Sequence, residues 1–505
     1  MRKFQLFLLV ISACLYLAFI FGTSFLVGEE RFFTLVDDAM ISMRYARNLS
    51  NGNGLVWNAG EPPIQGITNP GWTVVMAFVH LFPIEPSKIS LTIMLISLAI
   101  LLGNIPVTGK IAEYFHPGSI HAPALFMILT AFYFPLVFWS LRGMEVGLLV
   151  LLLNSALLLS FSENKPYLTG LLLSLAIFVR LDASIGAAVI AMFFITKHRS
   201  RSSFTPLLMT ACTVALILML QKGYFGDMLP TTYYQKVAGY TIWERMRRGI
   251  LVAIDFNLRD FLFLFLFSVL GIIHYRQYHK PELLLLIGLF LSQCVYSISI
   301  GGDYAEPETN AANRFITLGM PPLLILFSLM ADRLLTDLEK ARSKKPPSTR
   351  ILIPTIAFGL ASLMIVSGEP WLDYAINNAP LLKADIRRVK IGLHIAAHTS
   401  SEAVIAVHAA GQIPYYSERT TIDLLGLNDP IVAKGPAMGE FYPGHNKWNY
   451  EYSIGELKPD VIADNFAPFG DYIRTNPDYQ QLDSDMYARN GSPWIDIEGL
   501  NSEYK

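Results

Sequence analysis

The 505-residue chain is poor in charged residues. Asp, Glu, Lys and Arg make up 16% of it and leave a net charge of -1, whereas 53% of the residues are hydrophobic and the mean hydropathy is +0.41. A chain with so little net charge offers no general field to attract nucleic acid, so we expect no nucleic-acid partner. This composition is far from that of soluble globular proteins and predicts a polytopic α-helical membrane protein.

Cysteine is also scarce. The three cysteines, Cys14, Cys212 and Cys294, all lie in apolar runs. In such runs a cysteine behaves as a small hydrophobic residue, and the spacing of these three fits neither a disulfide framework nor a metal site.

Apolar runs recur from the N-terminus to residue 366. The first covers residues 5–27, which is about the length that crosses a bilayer, and we predict an uncleaved first span because a secretory core is shorter. Further spans are predicted at residues 89–111, 122–139, 146–161, 168–179, 183–196, 205–220, 261–273, 283–300, 315–330 and 351–366.

The apolar stretch at residues 71–82 is short for a span. If it lies on the membrane surface, the basic segments 197–201, 274–280 and 333–350 all fall on the cytoplasmic side together with the N-terminus. If it crosses the membrane, those segments fall outside. We therefore predict an interfacial helix here, about eleven spans, a cytoplasmic N-terminus and an external C-terminus.

Hydropathy falls sharply after residue 366. The segments "AVIAVH", "RTTIDLLG" and "PDVIADN" have strand-like patterns, and helical patterns lie between them. We predict a membrane domain over residues 1–368, with an external first loop at residues 28–88, and an external α/β domain over residues 369–505.

With this topology, charged residues gather on the external side of the predicted membrane domain. They include Asp37, Asp38, Arg142, Glu145, Arg180, Asp182, Asp303 and Arg314. A single charge at the end of a span usually only reaches towards water. The clustering on one side nevertheless favours a site at the outer interface. A transporter would carry ionisable groups within its spans, and these spans contain almost none.

A site at the outer interface suits a reaction between a lipid-borne phosphate donor and an acceptor that arrives from outside. A carboxylate could accept the proton of an attacking hydroxyl, while Arg and Lys neutralise the departing phosphate. Transfer of a sugar from a lipid phosphate is the chemistry that these residue types favour.

The first loop, with its acidic pair, an amphipathic helix and "GNGLVWNAGEPPIQGITNPGW", resembles the first external loop of the GT-C superfamily of polyprenyl-phosphate-sugar-dependent glycosyltransferases. More narrowly, "DDAMISMRYARNL", "GMEVGL", "LPTTYYQKV" and the tail "AAGQIPYYSERTTIDLLGLNDP" with "GHNK" are similar to the bacterial family that includes the mycobacterial terminal arabinofuranosyltransferases. The resemblance implies a GT-C fold, an enzyme of the bacterial cytoplasmic membrane, and a polyprenyl-phosphate sugar as donor. It also implies an external glycan, lipid or protein as acceptor.

The resemblance assigns Asp37 as the catalytic base, the alternative being a simple helix cap. It implies that Asp38 orients the loop or caps the following helix. Glu145 matches an acidic residue of the second external loop that supports the base or binds acceptor. Arg314 and Lys236 are predicted to bind the donor phosphate, with contact to lipid headgroups as the alternative.

Other external residues are predicted to contact substrate, each with an ordinary alternative. Tyr233 and Tyr234 could stack on sugar or prenyl groups, or only anchor the protein at the membrane interface. For Arg180 with Asp182 the alternative, which we favour, is a structural ion pair that holds a hairpin tip. The remaining candidates, which could equally be structural, are Asp303, Asp423, Asp429, His445 and Lys447. His445 has no partners at zinc-ligand spacing. We expect no required cofactor, with a divalent cation bridging Asp37 to phosphate as the alternative.

Two features depart from the family pattern. Thr231 stands where the family often has Asn, and the loop "GGDYAEPETNAANRF" is unusually long and acidic, which leaves the acceptor open. The leading hypothesis is transfer of arabinofuranose with inversion. The alternatives are transfer of a hexose or aminoarabinose on the same fold, a polyprenyl-lipid flippase or transporter, and a glycan-binding membrane anchor.

Overall fold

The computed structural model describes residues 1–162, 164–256, 262–303, 313–342, 352–463, 469–482 and 486–502. The acidic part of the loop "GGDYAEPETNAANRF", residues 304–312, lies outside the described residues.

Helices dominate the described chain. The first part of the chain contains α1 (Arg2–Gly22), α2 (Asp37–Ser50), α3 (Pro70–His80), α4 (Pro86–Phe115), α5 (His121–Phe132), α6 (Phe134–Leu141), α7 (Val146–Ser162), α8 (Pro166–Val179), α9 (Ser184–His198) and α10 (Thr205–Phe225). The second part contains α11 (Thr231–Lys236), α12 (Ile242–Phe256), α13 (Leu262–Ile300), α14 (Arg314–Thr317), α15 (Met320–Arg342), α16 (Leu352–Asn377), α17 (Leu382–His398), α18 (Gln412–Ser417), α19 (Pro430–Lys434), α20 (Phe469–Arg474) and α21 (Ile497–Leu500).

The strands form two sheets. A two-stranded hairpin contains β1 (Phe25–Val27) and β2 (Glu30–Phe32), and a five-stranded sheet contains β3 (Val404–Val407), β4 (Thr420–Asp423), β5 (Val461–Ile462), β6 (Tyr479–Gln481) and β7 (Tyr487–Arg489). Short 3-10 helices cover Leu181–Ala183 and Arg201–Phe204, and a π-helix covers Glu451–Glu456.

A helix occurs at each predicted span, but fewer of these helices are long enough to cross a bilayer. Among the described residues, six helices are long and apolar enough, or seven if the bent pair α5 and α6 counts as one span. Three shorter apolar helices, Val146–Ser162, Pro166–Val179 and Leu262–Gln277, account for further predicted spans. The chain is thus a multi-pass membrane protein, and the prediction of about eleven spans exceeds what helix length alone supports.

The predicted first span was wrong at its C-terminal end. α1 ends at Gly22, and the apolar residues Phe25–Val27 form a strand that pairs antiparallel with β2. Gly28, with a φ of 60°, allows the tight turn between the two strands. A continuous apolar run therefore changes from helix to hairpin where a glycine makes the turn accessible.

Two predicted spans contain breaks or joins that composition did not reveal. The segment predicted at 122–139 bends by 45° between α5 and α6, where Pro135 occupies the first turn of α6. The two predicted spans on either side of residue 280 form α13, which loses helical geometry at His279, directly before Lys280 and Pro281. Proline explains both breaks because it removes a backbone donor and crowds the preceding turn.

The described residues form two compact units. The first contains Met1–Gly22, Met94–Ile217 and Arg245–Pro380. It is a bundle of apolar helices in which Phe4 and Leu8 of α1 pack with Ile105 of α4 and with Met127 and Ile128 of α5. Packing of large apolar side chains on several helices is the expected core of such a bundle.

The second unit contains Thr23–Ile93, Leu218–Glu244 and Leu381–Lys505. Its five-stranded sheet has the order β4-β3-β5-β7-β6, in which β3 is parallel to β4 and β5, while β7 is antiparallel to β5 and β6. The three strands predicted in the tail are confirmed as β4, β3 and β5. The division of the chain at residue 368 stays a prediction, although α16 runs past it to Asn377.

The first loop and the tail share one hydrophobic core in this second unit. Ile41 and Tyr45 of α2 and Trp57 pack with Ile405 and Val407 of β3. The alternate residue of β3, Ala406, faces a different cluster with Tyr450 and Ile462, as the two-residue period of a strand requires. The first loop is therefore folded onto the α/β sheet as part of the same unit.

A buried arginine reinforces this arrangement. Arg44 on α2 donates hydrogen bonds to the carbonyl oxygens of Trp57, Pro414 and Arg419 and to the side-chain oxygen of Asn58. Burial lowers its pKa to about 9. Because these four bonds go to neutral acceptors, Arg44 holds backbone segments together, and it forms no ion pair with any residue that the structure describes. A helix is found at residues 71–82 as α3, whose 11 residues are too few to span a bilayer, and its position at the membrane surface stays a prediction.

Candidate active site

Asp37 is the first residue of α2, and its carboxylate contacts the tail. The N-cap of α2 is Val36, and no side chain caps this helix by a hydrogen bond. Oδ1 of Asp37 instead accepts the backbone N–H groups of Gly411 and Gln412, each at 3.1 Å. Within the described residues the other oxygen, Oδ2, accepts no hydrogen bond, so one edge of this partly buried carboxylate stays open to a reacting group.

The surroundings of Asp37 raise its pKa to about 7. Burial is the largest cause, and the charges of Asp38 and Asp385 act in the same direction. The charge of Arg388 and the hydrogen bond from Gln412 oppose this rise. A carboxylate with a pKa near neutrality can accept a proton far more readily than an ordinary Asp, which is the property of a general base.

Asp38 was predicted to orient the loop or to cap α2. It lies in the first turn of α2, where its negative charge is favourable beside the positive end of the helix dipole. The N-cap position belongs to Val36, which has no side-chain oxygen to accept a hydrogen bond, so Asp38 is not the N-cap residue of α2. A role of Asp38 in orienting the loop stays a prediction.

The predicted pair of Arg180 and Asp182 exists and includes Glu145. Arg180 donates to Glu145 Oε1 at 2.7 Å and to Asp182 Oδ2 at 3.0 Å, and its guanidinium lies 5.1 Å from the centre of the Phe315 ring. Glu145 is 1% exposed. This is a buried charge network within the first unit, and a substrate role for its members stays a prediction.

Asp303 and Arg314 form a second buried pair in the first unit. Nε of Arg314 lies 3.0 Å from Oδ2 of Asp303, and the guanidinium lies 5.4 Å from the centres of the Trp139 and Phe315 rings. Arg314 is 4% exposed and Asp303 is 1% exposed. The aromatic surroundings and the paired carboxylate stabilise the positive charge of Arg314, and its role as a phosphate ligand stays a prediction.

In the second unit, Lys236 at the end of α11 packs against the turn that contains the "GHNK" motif. A Cβ atom placed on Gly444 would lie 3.3 Å from Cε of Lys236, so the lysine side chain packs directly against this turn. Nδ1 of His445 lies 3.0 Å from the carbonyl oxygen of Pro443. The structure thus brings two predicted substrate contacts, Lys236 and His445, to one turn.

Lys447 has a structural position. It is 2% exposed, and its Nζ donates to the carbonyl oxygens of Tyr234 at 2.9 Å and Ala433 at 2.8 Å. Burial lowers its pKa. Because its hydrogen bonds join α11 to α19, Lys447 is better explained as a cross-link between these helices than as a substrate contact.

The two predicted tyrosines differ. Tyr233 is exposed, whereas the hydroxyl of Tyr234 donates to Asp227 at 3.0 Å. Lys434 donates to the same carboxylate at 2.8 Å and lies 4.7 Å from the centre of the Tyr234 ring. These three residues line a small cavity of about 70 Å³ together with Gln65. Stacking of Tyr233 or Tyr234 on a sugar or prenyl group stays a prediction.

Asp423 and Asp429 organise the loop that follows β4. Asp423 accepts four hydrogen bonds, from the backbone N–H groups of Leu425, Gly426 and Asn428 and from the side chain of Asn428. Burial raises its pKa to about 6 despite these bonds. Asp429 caps α19 through the N–H groups of Ile431 and Val432. The ordinary structural alternative explains the contacts of both residues.

The described His, Cys, Asp and Glu side chains form no metal site by themselves. Across the described ranges, no three His, Cys, Asp or Glu residues converge closely enough to hold an ion. Asp37 also has one of its oxygens occupied by two backbone N–H groups. A cation that bridges Asp37 to a substrate phosphate needs fewer protein ligands than an all-protein site does, so both that alternative and the expectation that no cofactor is required stay predictions.

Sequence reasoning missed the groups that contact Asp37 from the tail. Gly411 and Gln412 lie in the motif "AAGQIPYY", which supported the resemblance without being given a role. Asp385 and Arg388 on α17 lie in no quoted motif. The glycine within the apolar segment around "GQ" was the one sequence feature that could have drawn attention to this contact. The contact itself joins residues 37 and 412 and forms only when the whole unit folds.

Comparison with known proteins shows what this chain is similar to. Residues 69–297 match the model of Glycosyltransferase family 87, and residues 381–491 match a domain of unknown function, DUF8728. The Archaeoglobus fulgidus oligosaccharyltransferase, solved with a tethered acceptor peptide, has a TM-score of 0.56 at 12% identity, covering 91% of this chain and 68% of that chain. ArnT from Cupriavidus metallidurans bound to undecaprenyl phosphate has a TM-score of 0.53 at 11% identity, covering 83% of this chain and 85% of that chain.

These matches confirm the predicted GT-C fold and the predicted resemblance to membrane glycosyltransferases. The predicted narrower resemblance is confirmed as well, because the chain is 23% identical over 337 residues to a terminal beta-(1->2)-arabinofuranosyltransferase of Mycobacterium tuberculosis. That match covers 58% of this chain and 53% of the relative, so the chain spans about half the length of the curated relative.

Proposed function

We propose that the protein transfers a sugar, arabinofuranose in the first instance, from a polyprenyl phosphate carrier to an external glycan, lipid or protein acceptor. The observation that carries the proposal is the carboxylate of Asp37, which is held through Oδ1 and has a pKa of about 7. It stands in the first loop, where the resemblance assigns the base. The arabinofuranosyltransferase relative supports the choice of sugar, and the ArnT complex with undecaprenyl phosphate supports the choice of carrier.

The reaction would be a single displacement with inversion. The acceptor hydroxyl gives its proton to Asp37 Oδ2 while its oxygen forms a bond to the anomeric carbon of the sugar. The bond between that carbon and the phosphate oxygen breaks, and the phosphate leaves with the bonding electron pair on the polyprenyl phosphate. Lys236 beside the "GHNK" turn is the candidate in the second unit to balance the negative charge that develops.

The proposed location follows from the same chemistry. We propose a bacterial cytoplasmic membrane with the N-terminus inside, because the basic segments then lie on the cytoplasmic side. The Asp37 loop and the α/β sheet would then face the external side, where a polyprenyl-linked sugar and its acceptor meet.

The experiment compares wild type with Asp37→Asn in detergent, using synthetic decaprenyl-phospho-arabinofuranose and arabinan acceptors. Asn keeps an Oδ1 that can accept both N–H groups of the tail, so the fold is retained while the base is lost. We expect release of polyprenyl phosphate to fall by about 10²–10⁴-fold. Donor binding should be unchanged.

The alternatives separate in the same assay. Activity only with a hexose or aminoarabinose donor, lost in Asp37→Asn, would keep the mechanism and replace the sugar. Wild-type rates in Asp37→Asn would reject Asp37 as the base. Absence of transfer from every prenyl-phosphate sugar, with binding of glycan retained, would favour a membrane anchor instead.

A further inference from the structure

The tail approaches Asp37 more closely than a normal side chain would allow. A Cβ atom at Gly411 would lie 2.1 Å from the carbonyl oxygen of Asp37 and 2.6 Å from its Oδ1. Real Cβ atoms do not come so near, so only glycine fits at this position. The absence of a side chain at residue 411 is what lets the two backbone N–H groups reach the carboxylate.

The side chain of Gln412 strengthens the same contact. Its Nε2 donates to the carbonyl oxygen of Leu35 at 2.9 Å and to Oδ1 of Asp385 at 2.6 Å. Both Gln412 and Asp385 are 0% exposed. A buried and charge-assisted bridge of this kind limits the movement of residues 35–37 relative to α17.

Two charges on α17 act on Asp37 in opposite directions. Asp385 and Arg388 lie one turn apart, with 3.8 Å between a carboxylate oxygen and a guanidinium nitrogen. The charge of Asp385 disfavours ionisation of Asp37, and that of Arg388 favours it. Asp38 on α2 is the remaining charged neighbour that raises the pKa of Asp37.

We propose that Gln412, Asp385 and Arg388 are positioning residues for the catalytic base. Gln412, with Gly411, fixes the carboxylate so that one oxygen is held by the tail and the other faces the acceptor hydroxyl. Asp385 and Arg388 adjust the basicity of that carboxylate from α17. The inference rests on the proposed role of Asp37, and it makes the tail a part of the catalytic apparatus rather than only a substrate-binding domain.

The first test exploits the opposite signs of the two charges. Asn at residue 385 can still accept the hydrogen bond from Gln412, so Asp385→Asn removes a negative charge and keeps the contact. The acidic limb of the profile of kcat/KM against pH should then move to lower pH by about 0.5–1 unit. Arg388→Gln should move it to higher pH by a similar amount. Glu498→Gln, an exposed carboxylate on α21 in the same unit, is the control and should leave the limb in place.

The second test separates position from charge. Gly411→Ala forces the tail away from Asp37 and should lower kcat at least about 10-fold at every pH, while KM for the donor changes little. Gln412→Met keeps the length of the side chain and the backbone N–H bond to Asp37 but loses the two side-chain hydrogen bonds, so it should lower kcat less than Gly411→Ala does. Gly223→Ala is the matched control, because a Cβ there meets nothing within 4 Å.

Thermal unfolding and size-exclusion profiles identify any variant that fails to fold. Asp385→Asn and Arg388→Gln keep the inference testable if Gly411→Ala is lost in this way. Shifts of the acidic limb in the same direction for both charge variants, or no shift in either, would overturn the inference. Full activity in Asp37→Asn would reject Asp37 as the base and overturn the inference with it, whereas absence of transfer by the wild type would show that the proposed function has failed. Loss in Asp37→Asn together with unchanged kcat and pH profile in all tail variants would reject only the inference.

Discussion

The candidate carboxylates of the two compact units have different partners. In the first, Arg180 and Arg314 are paired with Glu145, Asp182 and Asp303, so each charge has an opposite charge beside it. In the second, the carboxylates of Asp37 and Asp423 are held chiefly by backbone N–H groups. An ion pair neutralises a carboxylate, whereas the backbone donors of Asp37 and Asp423 hold the carboxylate in place and lower its pKa by less than burial raises it. Only the second arrangement suits a base.

The largest effect should come from breaking an ion network in the first unit. Arg180→Met leaves the buried carboxylates of Glu145 and Asp182 without their cation, and we expect the free energy of unfolding to fall by about 3–5 kcal/mol. Thermal unfolding in detergent measures this loss. Arg180→Lys should lose less, since it keeps the charge. A Tm equal to that of wild type in Arg180→Met would show that the network is not a stabilising unit.

Asp423 tests the carboxylate that is held chiefly by backbone N–H groups. Asp423→Ala removes the acceptor of four hydrogen bonds and leaves buried donors unpaired, so we expect a loss of about 2–3 kcal/mol. Asp429→Ala removes only a cap of the short α19 and should cost about 1 kcal/mol. Both values follow from thermal unfolding. A larger loss in Asp429→Ala than in Asp423→Ala would contradict the view that Asp423 contributes more to the stability of this loop than the cap of α19 does.

The pH dependence of stability gives a third test. Because the pKa of Asp37 is raised from 3.8 to about 7, the folded state holds a proton that the unfolded state has lost between these values. Stability therefore falls as pH rises from about 4 to 7, on the order of 2 kcal/mol after allowance for partial exposure. Asp37→Asn should lack this loss, so its Tm relative to wild type should increase over that interval. A constant difference would mean that the pKa of Asp37 is ordinary.

The smallest effect is expected at the exposed pair of Lys434 and Asp227, whose side chains are 48% and 33% exposed. Lys434→Gln should cost about 0.2–1 kcal/mol, because water screens such a pair. The difference should shrink further at high salt. An effect as large as that of Arg180→Met would remove the distinction between exposed and buried pairs.

Much of the fold could be predicted because hydrophobic pattern is a local property. The helices of the membrane bundle, the helix at α3 and the three tail strands were all predicted from runs and alternation of apolar residues. Prediction failed where a local feature redirected an apolar run, as at Gly28 after the first helix and at Pro135 and Pro281 within helical segments. These residues were visible in the sequence, but the geometry that they impose depends on neighbouring packing.

The candidate site could be predicted only in part. Asp37 was found through its motif, and the pairing of Arg180 with Asp182 through its spacing. The structure added Glu145 to that pair and explained Asp423, Asp429 and Lys447 by internal hydrogen bonds. A sequence does not reveal whether a charged residue has an internal partner, because that partner can be hundreds of positions away.

The sequence by itself determined the class of the protein. Its low charge, its apolar runs and its first-loop motif are properties of composition and local order, and they sufficed to predict the GT-C membrane fold and the resemblance to glycosyltransferases. Only the tertiary structure decided that Gly411 and Gln412 hold the carboxylate of Asp37, about 370 positions earlier in the chain. The proton affinity of Asp37 follows from this contact and from burial, and neither exists before the first loop and the tail fold into one unit.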